Sequence, residues 1–417
     1  MTIMAGSPVK PRHPRRPGGS SDTETLVADP GGRALEIDAV RGWAALSVVC
    51  FHVFWETFGV AVPWLRNPYT AFLLAGHFDV ILFFILSGDA LSFPFFHGGG
   101  ATYLQRAALK RYPRLTVPIV VVTAVTASLM ALGLTPTVAA GDIVDRADWL
   151  GSFARFNASG SGAIKFAFYH VYTGNYRSDY LPFLWTMPVE LIGSFFLLLA
   201  LFVFPRVKGA TWIVAVLAYL LVADGSFMGC FLIGMLLGKA RAAGVFRRLP
   251  PTVDRYGAPL GIVTALWFVG RRQVLGDQEL RGLVGAGTLL LLSIYSCKSL
   301  VALLARSRVS QFLGRISYLL YLWHFTVLIS VTSGLITWAA GSDGVLTPLT
   351  ALAIGIATVV ASLAVAHWTM AIEGWARTVN GVLLRWCWKN EDQDPTDEHR
   401  APRPVATRAS VTGPVDG

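Results

Sequence analysis

Long apolar segments constrain the fold of this 417-residue chain more than any other feature. About ten such segments lie between residues 39 and 372, and most are near the roughly 20 residues that an α-helix needs to cross a bilayer. Over the whole chain, 54% of the residues are hydrophobic and only 14% are charged, which is far from the balance of a soluble domain. We predict an all-α, polytopic membrane bundle of about ten transmembrane helices, at 39–59, 70–96, 115–134, 183–204, 211–223, 225–238, 256–270, 283–304, 316–338 and 346–372.

Lysine and arginine are distributed unevenly between the segments that join these predicted helices. If the N-terminus is cytoplasmic, the inner segments carry 25 of them and the outer segments carry 8. Because short cytoplasmic loops are enriched in lysine and arginine, we predict that both termini are cytoplasmic. The net charge of +10 then reflects loops next to anionic lipid and does not indicate a nucleic-acid partner.

The composition changes at both ends of the apolar region. We predict a basic, disordered cytoplasmic tail at 1–38, a ten-span membrane domain at 39–376, and a largely disordered cytoplasmic tail at 377–417. The four cysteines are scattered and have no paired spacing. The sequence therefore predicts neither a metal site nor a disulfide framework.

Arg41 and His52 lie on one stripe of the first predicted helix. At about 100° per residue, eleven steps bring the two side chains within roughly 20° of one another, about 16 Å apart along the axis. A guanidinium and an imidazole on a membrane-length helix cost insertion energy, which favours a functional site. The alternative is an arginine that reaches the lipid headgroups and a histidine that is satisfied inside the bundle.

Four further cations follow the second predicted helix on the same, cytoplasmic side: Arg106, Lys110, Arg111 and Arg114. Guanidinium groups match pairs of phosphate oxygens, so this cluster and Arg41 could together bind a polyanionic phosphate ligand. The alternative for each residue is the ordinary positive charge of a cytoplasmic loop. A phosphate site well separated from a buried histidine suggests a ligand with a charged head and a long, thin reactive arm, which is the shape of acyl-coenzyme A.

Five sequence blocks occur in a fixed order across nearly the whole apolar region. They are Arg41-x10-His52, preceded by Asp38; Leu82-Phe-Phe-Ile-Leu-Ser-Gly88; Lys110-Arg111-Tyr-Pro113-Arg114; Leu184-Trp185-Thr-Met-Pro-Val-Glu190; and Phe312-Leu-Gly-Arg-Ile-Ser-Tyr318-Leu-Leu-Tyr321-Leu-Trp-His324. In these blocks and in their order, the chain resembles the acyltransferase-3 family of integral membrane O-acyltransferases. One block alone would be weak evidence, but five in order are specific.

The resemblance implies a bacterial inner-membrane enzyme that moves an acyl group, with acetyl the expected one, from cytoplasmic acyl-CoA to a hydroxyl of a cell-surface or lipid-linked glycan. No metal is expected. A neutral imidazole suits proton abstraction near pH 7, so His52 is expected to be the general base, and a transient acyl-histidine remains open. Glu190 would orient His52 or hydrogen-bond the acceptor. The residues expected to bind the coenzyme's phosphates are Arg41, Lys110, Arg111 and Arg114.

Aromatic residues and a second histidine are further candidates for substrate binding. Tyr318, Tyr321 and His324 follow one another at three-residue spacing and share a stripe about 120° wide on one helix. Lining of an acceptor site and interfacial anchoring of aromatic rings both fit this pattern. Trp185, from the fourth block, is the remaining substrate-binding candidate.

Some positions depart from the family pattern, and two other functions remain in view. Asp79 stands where members usually carry glycine, and Asp89 stands where they usually carry an apolar residue, so the sequence leaves the acceptor-binding residues open.

The acceptor could also be a small glycosylated metabolite. Buried charged residues in ten spans fit a proton-coupled secondary transporter as well, although no internal repeat is visible and the ordered blocks have no place in that function.

Overall fold

The computed structural model describes residues 35–174, 179–341 and 344–387, and within these ranges the chain is helical and contains no strand. The all-α prediction is therefore confirmed. The α-helices are α1 (Leu35–Cys50), α2 (Gly76–Pro94), α3 (Gly100–Ala131), α4 (Thr137–Ile143), α5 (Gly160–Phe168), α6 (Met187–Val203), α7 (Ala210–Ala223), α8 (Met228–Ala242), α9 (Ala258–Leu275), α10 (Leu280–Ser296), α11 (Lys298–Arg306), α12 (Arg308–Val327), α13 (Ser333–Ala340), α14 (Pro348–Trp368) and α15 (Ala371–Cys387).

Several of these helices are suited to a membrane. In the described residues, five helical stretches are long and apolar enough to cross one, and a sixth is added if α10 and α11, which meet at 86°, form one bent span. The five are Leu35–Thr57, Gly76–Ala131, Pro182–Arg206, Arg308–Ala340 and Pro348–Cys387. Each of the ten predicted segments contains at least part of a described α-helix. The chain is thus a membrane protein built from apolar helices.

The described helices extend beyond the predicted membrane domain at both ends. α1 begins at Leu35 rather than at 39, and α15 continues past 376 to Cys387, so residues 35–38 and 377–387 are helical and not part of disordered tails. α15 alternates polar and apolar residues at helical spacing, so it lacks the continuous apolar run by which hydropathy marks a helix. The rest of both predicted tails, 1–34 and 388–417, lies outside the described residues.

α1 and α12 cross at a pair of glycines. A Cβ atom at Gly42 would overlap the backbone of Gly314, so only glycine permits this approach. Small residues of this kind let membrane helices pack where lipid and side chains are equally apolar. His52 lies ten residues after Gly42, and His324 lies ten residues after Gly314. The rings of these two histidines are also neighbours, with centroids 5.1 Å apart. The two helices therefore run in the same direction.

A second glycine contact joins α2 and α8. A Cβ atom at Gly234 would overlap the carbonyl oxygen of Ile85, and one at Gly238 would overlap the side chain of Ser92. The later glycine of α8 meets the later residue of α2, so α2 and α8 also run in the same direction. The backbones touch because neither glycine carries a side chain to separate them.

Asp89 belongs to a buried charged network at one end of this helix pair. It is fully buried, and it accepts hydrogen bonds from Arg241 Nη1 at 2.8 Å and from Tyr295 Oη at 2.7 Å. Arg241 Nη2 also lies 3.1 Å from Glu36 Oε1. A carboxylate without such partners would be costly at this depth. The carboxylate of Asp89, which departs from the family pattern, is thus balanced by a cation on α8 and hydrogen-bonded by a hydroxyl on α10.

The crossing of α1 and α12 generates a prediction with a matched control. On helix propensity alone, Gly→Ala stabilises a helix by about 1 kcal/mol. We expect Gly42→Ala to lower the midpoint of thermal unfolding because its Cβ meets the α12 backbone, and Gly285→Ala to leave it equal or higher because nothing lies within 4 Å there. The midpoint is measured on the detergent-purified protein. Equal midpoints for the two variants would contradict the close crossing.

Candidate active site

A cavity of about 670 Å³ lies between α1, α2, α3, α6, α12 and α15. Six cations and three acids line it, so the formal charge of its wall is positive. These residues are Arg41, Lys110, Arg111, Arg114, Arg315 and Arg377, with Asp38, Glu190 and Glu373. All four cations predicted to bind the donor are brought together here from α1 and α3. Positive excess in a cavity with low-dielectric walls attracts an anionic ligand.

Arg111 and Glu190 form a buried ion pair in the wall of this cavity. Arg111 Nη2 donates to Glu190 Oε1, and Arg111 Nε donates to Ser194 Oγ at 2.7 Å. Ser87 Oγ also donates to Glu190 Oε1, at 2.8 Å. The pair therefore joins α2, α3 and α6. Breaking one member of such a pair leaves an uncompensated buried charge, which costs about 3–5 kcal/mol.

Glu190 does not hydrogen-bond His52, which was one of its two predicted roles. Its carboxylate is directed toward α2 and α3, where Ser87 and Arg111 bind it. The pairing also changes the interpretation of Arg111, since Glu190 balances its charge. Much of the positive excess of the cavity therefore comes from its other cations.

His52 and His324 lie side by side. His52 is in the π-helical turn Phe51–Thr57 that continues α1. Its Nδ1 lies 2.9 Å from the carbonyl oxygen of Val48, and His324 Nδ1 lies 2.6 Å from that of Tyr321. Because a carbonyl only accepts, Nδ1 carries the hydrogen in each neutral ring and Nε2 presents the lone pair. Both histidines are thus prepared to act as bases through Nε2.

Tyr321 connects the cavity wall to the histidine pair through its contact with His324. It lines the cavity, while its ring centroid lies 5.7 Å from that of His324. Its hydroxyl donates to the carbonyl oxygen of Phe183 at 2.5 Å and lies 2.7 Å from Thr186 Oγ1. Neither histidine is among the residues that line the cavity. Of the cavity wall residues, Tyr321 is thus one that packs against this histidine pair, through His324.

Aromatic rings cover His52 on another side. Phe183 stacks on it with centroids 4.0 Å apart, and Trp149 lies parallel at 6.1 Å. Trp149 is held by Arg146, whose guanidinium lies 5.2 Å from the indole centroid. Arg146 Nη2 is also 3.0 Å from Glu56 Oε2, four residues after His52. This ion pair attaches the segment that carries Trp149 to the end of the histidine-bearing helix.

The other predicted substrate-binding residues separate into two groups. Tyr318 lines the cavity and donates to the carbonyl oxygen of Leu115 at 2.8 Å. Trp185 is not part of the cavity wall, and its ring packs 5.9 Å from that of Phe227. Tyr318 and Tyr321 are therefore placed to contact a ligand, whereas Trp185 contributes to helix packing.

Some cavity residues were missed in the sequence. Arg315 lies three residues before Tyr318, so the stripe that identified the tyrosines could have included it. Arg377 and Asn380 lie on α15, which the hydropathy pattern does not predict. Outside the cavity wall, Trp149 was missed as well, because its position beside His52 depends on how residues 135–174 pack against the end of the first helix. In the part of the chain that the structure describes, no three His, Cys, Asp or Glu side chains cluster as a metal site would require.

The buried ion pair can be tested by a double-mutant cycle. We expect Arg111→Gln and Glu190→Gln each to lower the unfolding midpoint of the purified protein, because each leaves one buried charge unpaired. The double variant carries neither charge of the pair, so its loss of stability should be clearly smaller than the sum of the two. Strictly additive losses would mean that the two side chains do not interact.

Comparison with known proteins identifies the family. The family model described as an acyltransferase domain, that of the acyltransferase-3 family, matches residues 35–367. No curated protein and no solved structure matches the chain. The matched region includes the two histidines and every cavity cation except Arg377, and it ends before α15. The chain belongs to the acyltransferase-3 family and is an O-acyltransferase, a transferase of groups other than aminoacyl groups.

Proposed function

We propose that this protein transfers an acyl group, with acetyl the expected one, from cytoplasmic acyl-CoA to a hydroxyl of a cell-surface or lipid-linked glycan. The observation that carries the proposal is a cation-lined cavity, one of whose wall residues, Tyr321, packs against His324, which in turn lies beside His52. The coenzyme's phosphates would bind Arg41, Lys110 and the neighbouring cations. Its thioester arm would extend past Tyr321 toward His52.

A ten-span topology with both termini cytoplasmic, in a bacterial inner membrane, is part of the proposal. Two contacts support it. α1 and α12 correspond to the first and ninth predicted spans, and α2 and α8 to the second and sixth. Two spans whose positions in this order differ by an even number must cross the membrane in the same direction, and the helices of each pair do run in the same direction. The functional unit would then comprise 35–387, with the donor cavity on the cytoplasmic side and the histidines below the outer segment 135–182.

His52 would act as the general base in a direct transfer. Its Nε2 removes the proton of the acceptor hydroxyl, and the hydroxyl oxygen attacks the thioester carbonyl carbon. The carbon–sulfur bond then breaks, and the leaving thiolate takes the proton from the His52 imidazolium. The products are the acyl ester and free coenzyme A.

His324 would bind the acceptor next to His52. Its Nε2 is buried and has no hydrogen-bond partner among the described residues, so it can accept a hydrogen bond from a second hydroxyl. Adjacent hydroxyls are a general feature of sugars. A pair of Nε2 acceptors, with rings 5.1 Å apart, therefore suits a glycan better than an isolated alcohol.

Substitution of His52 tests the chemistry. We expect His52→Ala to lower acyl transfer by about 10²–10⁴-fold, which is the usual contribution of a general base. The measurement is transfer of label from radioactive acetyl-CoA to the glycan fraction of membranes that contain equal amounts of protein. His367→Ala, an exposed histidine near the end of α14, should retain wild-type transfer. Equal transfer by His52→Ala and wild type would overturn the assignment.

Substitution of Arg41 tests the donor cavity. A charge-assisted hydrogen bond contributes about 1.5–3 kcal/mol, so Arg41→Gln should raise the KM for acyl-CoA by roughly 10–100-fold with little change in kcat. Arg385→Gln, on α15 but outside the cavity wall, is the control. A rise of the same size in the control would show that the cavity does not bind the donor.

The acceptor can be identified by mass spectrometry of glycans from cells with and without the protein. Loss of an acyl mass from surface or lipid-linked glycans is the expected result. If only small glycosylated metabolites lose it, the proposed acceptor class is wrong while the acyltransferase activity stands.

A further inference from the structure

α15 presents two different faces. Side chains at 373, 377, 380 and 384 line the cavity, at the spacing of one face of a helix. Side chains at 375, 379, 382 and 386 are exposed on the other face. The cavity face consists of Glu373, Arg377, Asn380 and Leu384, and the exposed face of Trp375, Val379, Val382 and Trp386.

The exposed face indicates where α15 lies. Tryptophan is enriched at membrane–water interfaces, and an apolar stripe opposite a polar one is typical of a helix in the interface plane. Trp375 and Trp386 are eleven residues apart, so they lie on the same side of the helix and would both insert into the lipid. Such insertion would hold the polar face of α15 against the cavity. The helix also packs along α3, which carries Lys110 and Arg114.

Asn380 is the feature of the polar face that points to a ligand. Its side chain is 8% exposed, it lines the cavity, and its Oδ1 has no hydrogen-bond partner among the described residues. A buried acceptor without a partner costs about 1–3 kcal/mol, so such groups are nearly always bonded in the working state of a protein. An N–H or O–H donor from a ligand in the cavity would satisfy this oxygen.

The chemistry of the cavity divides between charged and neutral groups. The cations match the phosphates of acyl-CoA, whereas a neutral amide oxygen matches a neutral N–H donor. The arm that joins the phosphates to the thioester carries amide N–H groups, and it has no charge for the cations to bind. Asn380 supplies the acceptor that such an amide needs.

We propose that α15 is a donor-recognition helix, in which Asn380 Oδ1 accepts a hydrogen bond from an amide N–H of the acyl-CoA arm and Arg377 binds the phosphates. The inference rests on the proposed function in taking acyl-CoA as the donor. It adds a binding element that lies beyond residues 35–367, the region shared with the family.

Asn380→Leu tests the amide contact. We expect the KM for acyl-CoA to rise about 3–10-fold with kcat unchanged, since a neutral hydrogen bond to the bound donor is lost. Thr378→Leu, an exposed position on the same helix, should keep the wild-type KM. Asn380→Gln keeps a neutral amide acceptor, so its KM should lie closer to wild type than that of Asn380→Leu. Unchanged KM in Asn380→Leu, or equal increases in the Leu and Gln variants, would overturn the proposal.

Inhibition by 3′,5′-ADP, which carries phosphates and lacks the arm, separates the two parts of the donor. Its inhibition constant should be unchanged in Asn380→Leu and raised in Arg377→Gln. If Asn380→Leu weakens the binding of 3′,5′-ADP as much as the binding of acyl-CoA, the side chain contacts the nucleotide and the amide assignment is wrong. Failure of the wild type to use acyl-CoA would instead overturn the proposed function itself.

Discussion

The close crossing of α1 and α12 is the constraint on which the site depends. Gly42 and Gly314 bring the two backbones into contact, and this contact fixes the register of the two parallel helices relative to one another. Ten residues further along, the same register places His52 against His324. Near the crossing, it places Arg41 and Arg315 on one cavity. A shift of one residue would turn a side chain by about 100° and separate both pairs.

Two buried ion pairs in this protein leave the surplus of positive charge on the cavity wall. Arg111 is balanced by Glu190, and Asp89 by Arg241, so four costly groups in the membrane region are neutralised within the bundle. These pairs also join helices that are far apart in the sequence, since Arg111 lies on α3 and Glu190 on α6. The surplus of cations remains on the cavity wall, where an anionic donor can compensate it.

Much of the cation-lined cavity could be predicted from the sequence, because charge and helical period are local properties. Arg41, Lys110 and Arg114 were assigned to one cluster from their side of the membrane, and they share one cavity. The partner of Glu190 could not be predicted, since it depends on the rotation of α6 against α2 and α3. Nor could the contact of His324 with His52, which follows from a crossing between residues 272 positions apart. The sequence did not predict α15, because hydropathy detects continuous apolar segments and not amphipathic helices.

Tyr321 and Phe183 bear on a conflict that the proposed transfer would face. If the donor enters from one side of the membrane and the acceptor from the other, an open path between them would leak solutes and expose the thioester to water. Tyr321 lines the cavity and its hydroxyl is bonded to Phe183 and Thr186, whereas His52, on which Phe183 stacks, is not part of the cavity wall. In the proposed reaction a thin acyl arm would displace the tyrosine ring, while the bulky phosphates would stay bound to the cations. The transfer would then take place away from bulk water, where hydrolysis competes less with it.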